Sequence, residues 1–180
     1  MHPDRFFSPD SNIKSITQQI YHSAKNLPIF APHGHVDPEL FSVPDATFGN
    51  PVDLFIKPDH YVIRTLYTNG IPLQKLGIAP KGETLDYDPR SVWELFCTNF
   101  FLFKTTPSGV WLTTSLSDVF GIEQKLSKET ANNTYDILVE KLSSKEFSPR
   151  NLFERFNIEL LATTDSAADP LTHHQMIRKS

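Results

Sequence analysis

The chain has 180 residues with 17 basic and 21 acidic side chains, so its length suits one ordinary domain. The mildly acidic balance, with no Lys/Arg cluster, argues against a nucleic-acid or anionic-membrane surface. Cys97 is the only cysteine, which excludes an internal disulfide framework and a thiolate metal cage; it lies among apolar neighbours and reads as an inert buried thiol.

The N-terminal residues are polar and lack the apolar core of a signal segment, and no run approaches the ~20 apolar residues of a membrane span. A soluble cytoplasmic protein is the expectation. Ser11 or Asn12 can cap an amphipathic helix that places Ile13, Ile16 and Ile20 on one face, with Ala24 continuing the stripe. His22, in its last turn, complements the helix dipole and reads as structural.

This helix delivers the chain to Leu27-Pro28-Ile29-Phe30-Ala31-Pro32, a short apolar run that reads as a buried strand. His33-Gly34-His35-Val36-Asp37-Pro38 follows at its end. Side chains alternate along extended backbone, so His33 and His35 point to one side, close enough for two imidazoles to hold one ion. Gly34 between them lets backbone or ligand approach closely. A bare His-x-His is also an ordinary surface-loop pattern. The strand before it and Asp-Pro after it match the way a first strand ends in a metal-dependent (β/α) barrel, whose active site is built at the C-terminal ends of its strands.

Beyond Pro38 strand character disappears for more than a hundred residues. Asn50-Pro51 starts a short helix, and Asp59 caps another with Val62, Ile63, Leu66 and Tyr67 on its face and Gly70 as its stop. Asp88-Pro89 starts a helix carrying Val92, Trp93, Leu95, Phe96 and Phe100. Helical patterns continue from about Pro107 to Phe120 and from Lys128 to Leu142, the second capped by Ser127. The Phe and Trp side chains of this helical insertion read as core.

Ser148-Pro149 then opens a helix through Leu152, Phe153 and Phe156, which Asn157 can end in the left-handed conformation. A second strand-like run, Ile158 to Thr163, ends in Thr164, Asp165 and Ser166. Asp169-Pro170 starts a last helix with Leu171, His174 and Ile177 on one face. Two strands with polar motifs at their C-terminal ends, flanking a helical excursion, follow the grammar of a parallel α/β sheet. The adjacent His173 and His174 face apart by about 100° and read as packing residues.

Three ordered motifs now carry a resemblance: LPIFAPHGHVDP (27–38), DHYVIRTLYTNGI (59–71) and FSPRNLFERFNIELLATTDSAADPLTHH (147–174). With the Asp88-to-Trp93 and Val119-to-Ile122 segments between them, they resemble the N-terminal part of the uronate (glucuronate) isomerases of the amidohydrolase superfamily. The resemblance implies a distorted (β/α)8 TIM barrel with a large helical insertion after the first strand. The expected division is 1–38 for the first helix and strand, 39–146 for the insertion, and 147–180 for the second strand with its flanking helices.

The implied activity interconverts D-glucuronate with D-fructuronate, and D-galacturonate with D-tagaturonate, in hexuronate catabolism. His33 and His35 become metal ligands by resemblance, most commonly for zinc, with His33 also near the substrate. Tyr61 becomes a catalytic candidate reaching the sugar acid from the insertion, with His60 and Arg64 beside it as substrate-binding candidates. Asp165, at the second strand's end, is the other catalytic candidate. Read without the family, Tyr61 is an aromatic covering the insertion's core and Asp165 is a turn residue.

The length departs from the family, because a TIM barrel needs eight strands in about 250 residues and only two are recognisable here. The expectation is an N-terminal fragment, inactive alone, with the remaining metal ligand, the base and the substrate-binding arginines beyond Ser180. Exposed apolar surface and an open sheet edge should follow. The resemblance implies a small hexuronate as partner, no nucleic acid or membrane, and allows a homo-oligomer of the full-length protein. A metal-dependent hydrolase of the same superfamily, or a non-catalytic helical interaction module, are the other readings.

Overall fold

In the computed structural model, which describes residues 4–180, the first helix is capped by Asp10 rather than by Ser11 or Asn12. The Asp10 carboxylate accepts from the backbone N–H groups of Asn12 and Ile13, so the cap lies one or two residues earlier than expected. The elements in chain order are α1 (Ser11–Ala24), β1 (Ile29–Ala31), α2 (Glu39–Ser42), α3 (Pro51–Phe55), α4 (His60–Thr68), α5 (Pro89–Thr98), α6 (Pro107–Thr114), α7 (Ala131–Ser143), α8 (Pro149–Arg155), β2 (Ile158–Leu161) and α9 (Thr172–Ile177). Short 3-10 turns at Leu73–Leu76, Phe100–Phe103 and Lys145–Phe147 join some of them.

The chain divides into two units, one running to Ala46 and resuming over Pro149–Ser180, the other Thr47–Ser148. In the first, β1 and β2 pair in parallel, with Ile29 opposite Ile158, Phe30 opposite Leu160 and Ala31 opposite Leu161. Asn157 reverses the chain from α8 into β2 at φ 53°, the left-handed conformation expected of it. Its carbonyl then accepts the Ile29 N–H at 2.8 Å, and the Ala31 carbonyl accepts Ala162 N–H at 2.8 Å, closing both ends of the pair. α2 meets α8 through an edge-on Phe41–Phe153 contact with ring centres 5.9 Å apart, and the Arg150 guanidinium donates from Nε and Nη2 to the Phe41 carbonyl. α9 is tied to α2 by Ser42 Oγ and His173 Nδ1, 2.7 Å apart. The expected face of α9 is not a buried one: Leu171 sits before its first turn at φ 53° and is exposed, as is Ile177.

The apolar surface of this unit stays open. Ile13, Ile16 and Ile20 of α1 are 55%, 59% and 64% exposed, and Ile29, Phe30 and Leu160 of the strand pair are also exposed. Among the described residues outside 47–148, the buried apolar side chains are Pro149 and Leu152, both on α8. The α1 stripe therefore forms as its periodicity predicts but buries nothing, and the strand pair lacks the covered faces usual for parallel strands.

The Thr47–Ser148 unit holds the closed core. Three of its helices start where their caps predict: Asn50, Asp59 and Asp88 each accept two backbone N–H groups, with proline following at Pro51 and Pro89. Val62 and Leu66 form the buried face of α4, whereas Tyr67, one step around the helix, is exposed. α7 begins at Ala131 rather than near Lys128, and Ser127 does not cap it: residues 127–130 form a turn of their own, in which the Thr130 hydroxyl donates to the Lys125 carbonyl and accepts Ser127 N–H. Trp93, Phe96, Phe103, Leu112, Leu138 and Leu142 are fully buried. Trp93 Nε1 donates to Thr134 Oγ1 at 3.1 Å across α5 and α7, which satisfies the one polar atom of a buried indole. Burial pushes the Cys97 thiol up to about 12, the inert state expected for it. Among the described residues no helix is long and apolar enough to cross a membrane.

Candidate functional site

β1 stops at Ala31 and the chain bends at Pro32 and His33, so His33 and His35 lie just beyond the strand rather than within it. Their i, i+2 spacing still turns both rings to one side. The two Nε2 atoms are 3.1 Å apart, with ring centres 4.8 Å apart and planes nearly perpendicular. Both side chains are exposed. Two ring nitrogens this close share either one proton or one ion. Among the described residues no third His, Cys, Asp or Glu joins them as a three-ligand set.

Gly34 has a local reason to be glycine, and it is backbone approach. A Cβ there would meet the Ala162 carbonyl oxygen at 2.7 Å and Leu161 Cδ1 at 3.6 Å. The Gly34 carbonyl in turn accepts the Thr164 hydroxyl at 2.8 Å. The end of β2 thus holds the peptide between the two histidines from two directions.

Asp165 sits on the same strand end but in a separate group. Thr163 Oγ1 donates to Asp165 Oδ2 at 2.5 Å and lies 2.8 Å from His174 Nε2, which is 3.7 Å from that carboxylate oxygen. Thr163 and His174 line a cleft of about 430 Å³ whose other walls include Phe41, Phe153, Leu161 and Ile177. Consecutive threonines therefore face opposite ways: Thr163 toward Asp165 and the cleft, Thr164 toward Gly34. His173 and His174 likewise diverge, one to Ser42 and one to Thr163.

His60, Tyr61 and Arg64 form a third group, in the Thr47–Ser148 unit, on the first turns of α4. Asp59 fixes the helix start by accepting from Tyr61 and Val62 N–H. The His60 and Tyr61 rings have centres 4.1 Å apart, and the Arg64 guanidinium lies 5.2 Å from the Tyr61 ring centre. Tyr61 is 55% exposed, so it does not serve the core. A phenol backed by a guanidinium and an imidazole can hold an anionic, hydroxyl-rich ligand.

The roles of Thr163 and Thr164 were hidden in the sequence, where Thr-Thr-Asp-Ser reads as turn chemistry. The one available signal is their position at a strand end opposite a His-x-His strand end.

The sequence model of the glucuronate isomerase family matches residues 6–180. Curated relatives include uronate isomerases from Phenylobacterium zucineum, 48% identical over all 180 residues, and Nostoc punctiforme, 46% identical over 98% of the chain. The chain spans only 37% and 38% of the lengths of these two relatives. Among solved structures, glucuronate isomerase from Caulobacter crescentus superposes with a TM-score of 0.96 at 42% identity, covering all of this chain and 37% of that one. Uronate isomerase from Thermotoga maritima, at 22% identity and a TM-score of 0.83 with the same coverage, shares the fold. With nearly every residue from Phe6 to Ser180 accounted for by one family model, the chain belongs to the glucuronate isomerase family.

Proposed function

We propose that this chain supplies the first-strand metal half-site and part of the substrate site of a uronate isomerase. The observation that carries this reading is the convergence of His33 Nε2 and His35 Nε2 at 3.1 Å beyond β1, in a chain of that family. The β1–β2 pair is read as the first two strands of a (β/α)8 barrel, and Thr47–Ser148 as the insertion after the first. The protein is read as cytoplasmic, acting on a hexuronate, with homo-oligomerisation open to it.

The donor set fits a divalent ion of the zinc type. Two nitrogens each about 2.0–2.1 Å from one ion lie about 3 Å apart when their angle is near that of a tetrahedron or an octahedron. His33 and His35 would hold it, leaving positions for sugar oxygens. When bound, such an ion supplies Lewis-acid polarisation of the carbonyl being isomerised.

The reaction moves one hydrogen between the aldehyde carbon and its neighbour, and one between their oxygens, through an enediol. The Tyr61 hydroxyl, which can donate or accept, suits the oxygen-to-oxygen transfer or the orientation of a sugar hydroxyl. Arg64 and His60 confer cationic and hydrogen-bonding character on that group, matching a sugar acid. Asp165, held by Thr163, is an acceptor for a sugar hydroxyl.

The test is a chimera in which this chain replaces the matching 37% of the Phenylobacterium zucineum relative. Conversion of D-glucuronate to D-fructuronate is expected, with a loss of about 100-fold or more in kcat/KM on Tyr61→Phe or His33→Ala. A folded chimera without isomerase activity would refute the reading, and turnover of amides or esters instead would favour the sister hydrolases.

A further inference from the structure

We infer that Thr164 is a positioning residue for the His33/His35 pair, acting through the Gly34 carbonyl. The inference rests on the metal-binding reading above and concerns how the two ligands are held, not which residues they are. Glycine between two ligands is a liability, because its backbone samples more conformations than any other residue and the imidazoles on either side would drift apart. The structure answers that liability with two anchors from the end of β2. The Ala162 carbonyl packs so near Gly34 that a Cβ would stand 2.7 Å from it, which presses the peptide against the strand. The Thr164 hydroxyl then donates to the Gly34 carbonyl at 2.8 Å, fixing the rotation of the peptide that links Gly34 to His35.

Both anchors come from a strand end that is itself tied to β1 by Ala162 N–H and the Ala31 carbonyl, 2.8 Å apart. Strand pairing is thereby transmitted to the separation of two ring nitrogens. No neighbour can replace Thr164 in this, since Thr163 is engaged on the other side with Asp165 and His174. Removing the Thr164 hydroxyl should leave both ligands present and loosen their mutual placement, so that an ion must first restrict them and binds more weakly.

The test is a Co2+ titration of the Phenylobacterium zucineum chimera described above, followed by paramagnetic broadening of the His33 and His35 ring signals in 1H–15N spectra. Thr164→Val and Thr164→Ser are compared, with the urea midpoint of each recorded alongside. Thr164 is exposed, so neither change disturbs a core. Thr164→Val is expected to weaken Co2+ binding about three- to tenfold, the worth of one hydrogen bond, while Thr164→Ser stays within about twofold of the unchanged chimera. Unaltered affinity in Thr164→Val, with or without a lower urea midpoint, would overturn the inference and leave the bond a purely structural one. An equal loss in both variants would also overturn it, because the methyl group and not the hydroxyl would then matter. If the unchanged chimera shows no broadening of either histidine, the metal-binding reading fails and the inference falls with it.

Discussion

Replacing Thr134 by valine removes the acceptor for the Trp93 indole N–H without changing side-chain volume much, in the part of the molecule that is most tightly closed. Both residues are essentially inaccessible to solvent, and the 3.1 Å bond between them joins α5 to α7. The Thr134 hydroxyl also donates to carbonyls of its own helix, so it is satisfied on its donor side as well. Thr134→Val strands a buried N–H, at a cost of about 1–3 kcal/mol. With an m-value of about 1–3 kcal/mol per molar urea, that lowers the urea midpoint by roughly 0.5–2 M. In a Trp93→Phe background no indole N–H remains to be stranded, and the same valine should cost less than it does beside Trp93. The assay is a double-mutant cycle by urea unfolding, followed by circular dichroism because one indole is removed. Equal costs of Thr134→Val in the two backgrounds would refute the argument that the indole bond ties these helices.

Three further outcomes are expected. Gly34→Ala should destabilise the chain by about 1–3 kcal/mol, as an overpacked site does, since the new Cβ faces a backbone carbonyl that cannot rotate away; a neutral change in urea midpoint would contradict the close approach. Cys97 should resist thiol reagents at pH 8 in the folded protein and react once denaturant is added. Because burial raises its folded pKa to about 12, above the unfolded value, the thiol's contribution is fully present below the unfolded value and is lost as pH rises toward 12, so unfolding free energy should fall over that window. The Thr47–Ser148 unit, excised, should unfold cooperatively and bind little hydrophobic dye, whereas the whole chain binds dye through Ile13, Ile16 and Ile20 and loses much of that signal when the three are changed to serine.

What was legible in the sequence is what local chemistry decides. Asn50-Pro51, Asp59 and Asp88-Pro89 announce helix starts because a cap and its N–H groups lie within three residues of each other. The same logic slipped at Asp10 and Thr130, where neighbouring polar residues compete for the cap and only the folded turn decides between them. The i, i+2 spacing of His33 and His35 was legible as a pair of converging rings, although the strand ends two residues before His33 and the chain bends there. By contrast, the Thr164–Gly34 bond spans 130 residues, and no periodicity encodes a hydroxyl meeting a distant carbonyl. The divergence of His173 and His174 followed from helix geometry, but their partners Ser42 and Thr163 did not. The exposure of the α1 stripe was equally out of reach from the helix alone, since periodicity says which residues share a face and nothing about what covers it.

The most direct test of the central claim is the zinc content of the Phenylobacterium chimera after exhaustive dialysis, compared with the same protein carrying His33→Ala and His35→Ala together. About one zinc per chain is expected in the first and none in the second, with circular dichroism unchanged between them. Zinc retained by the double variant, or no zinc in a folded chimera with both histidines intact, would contradict it.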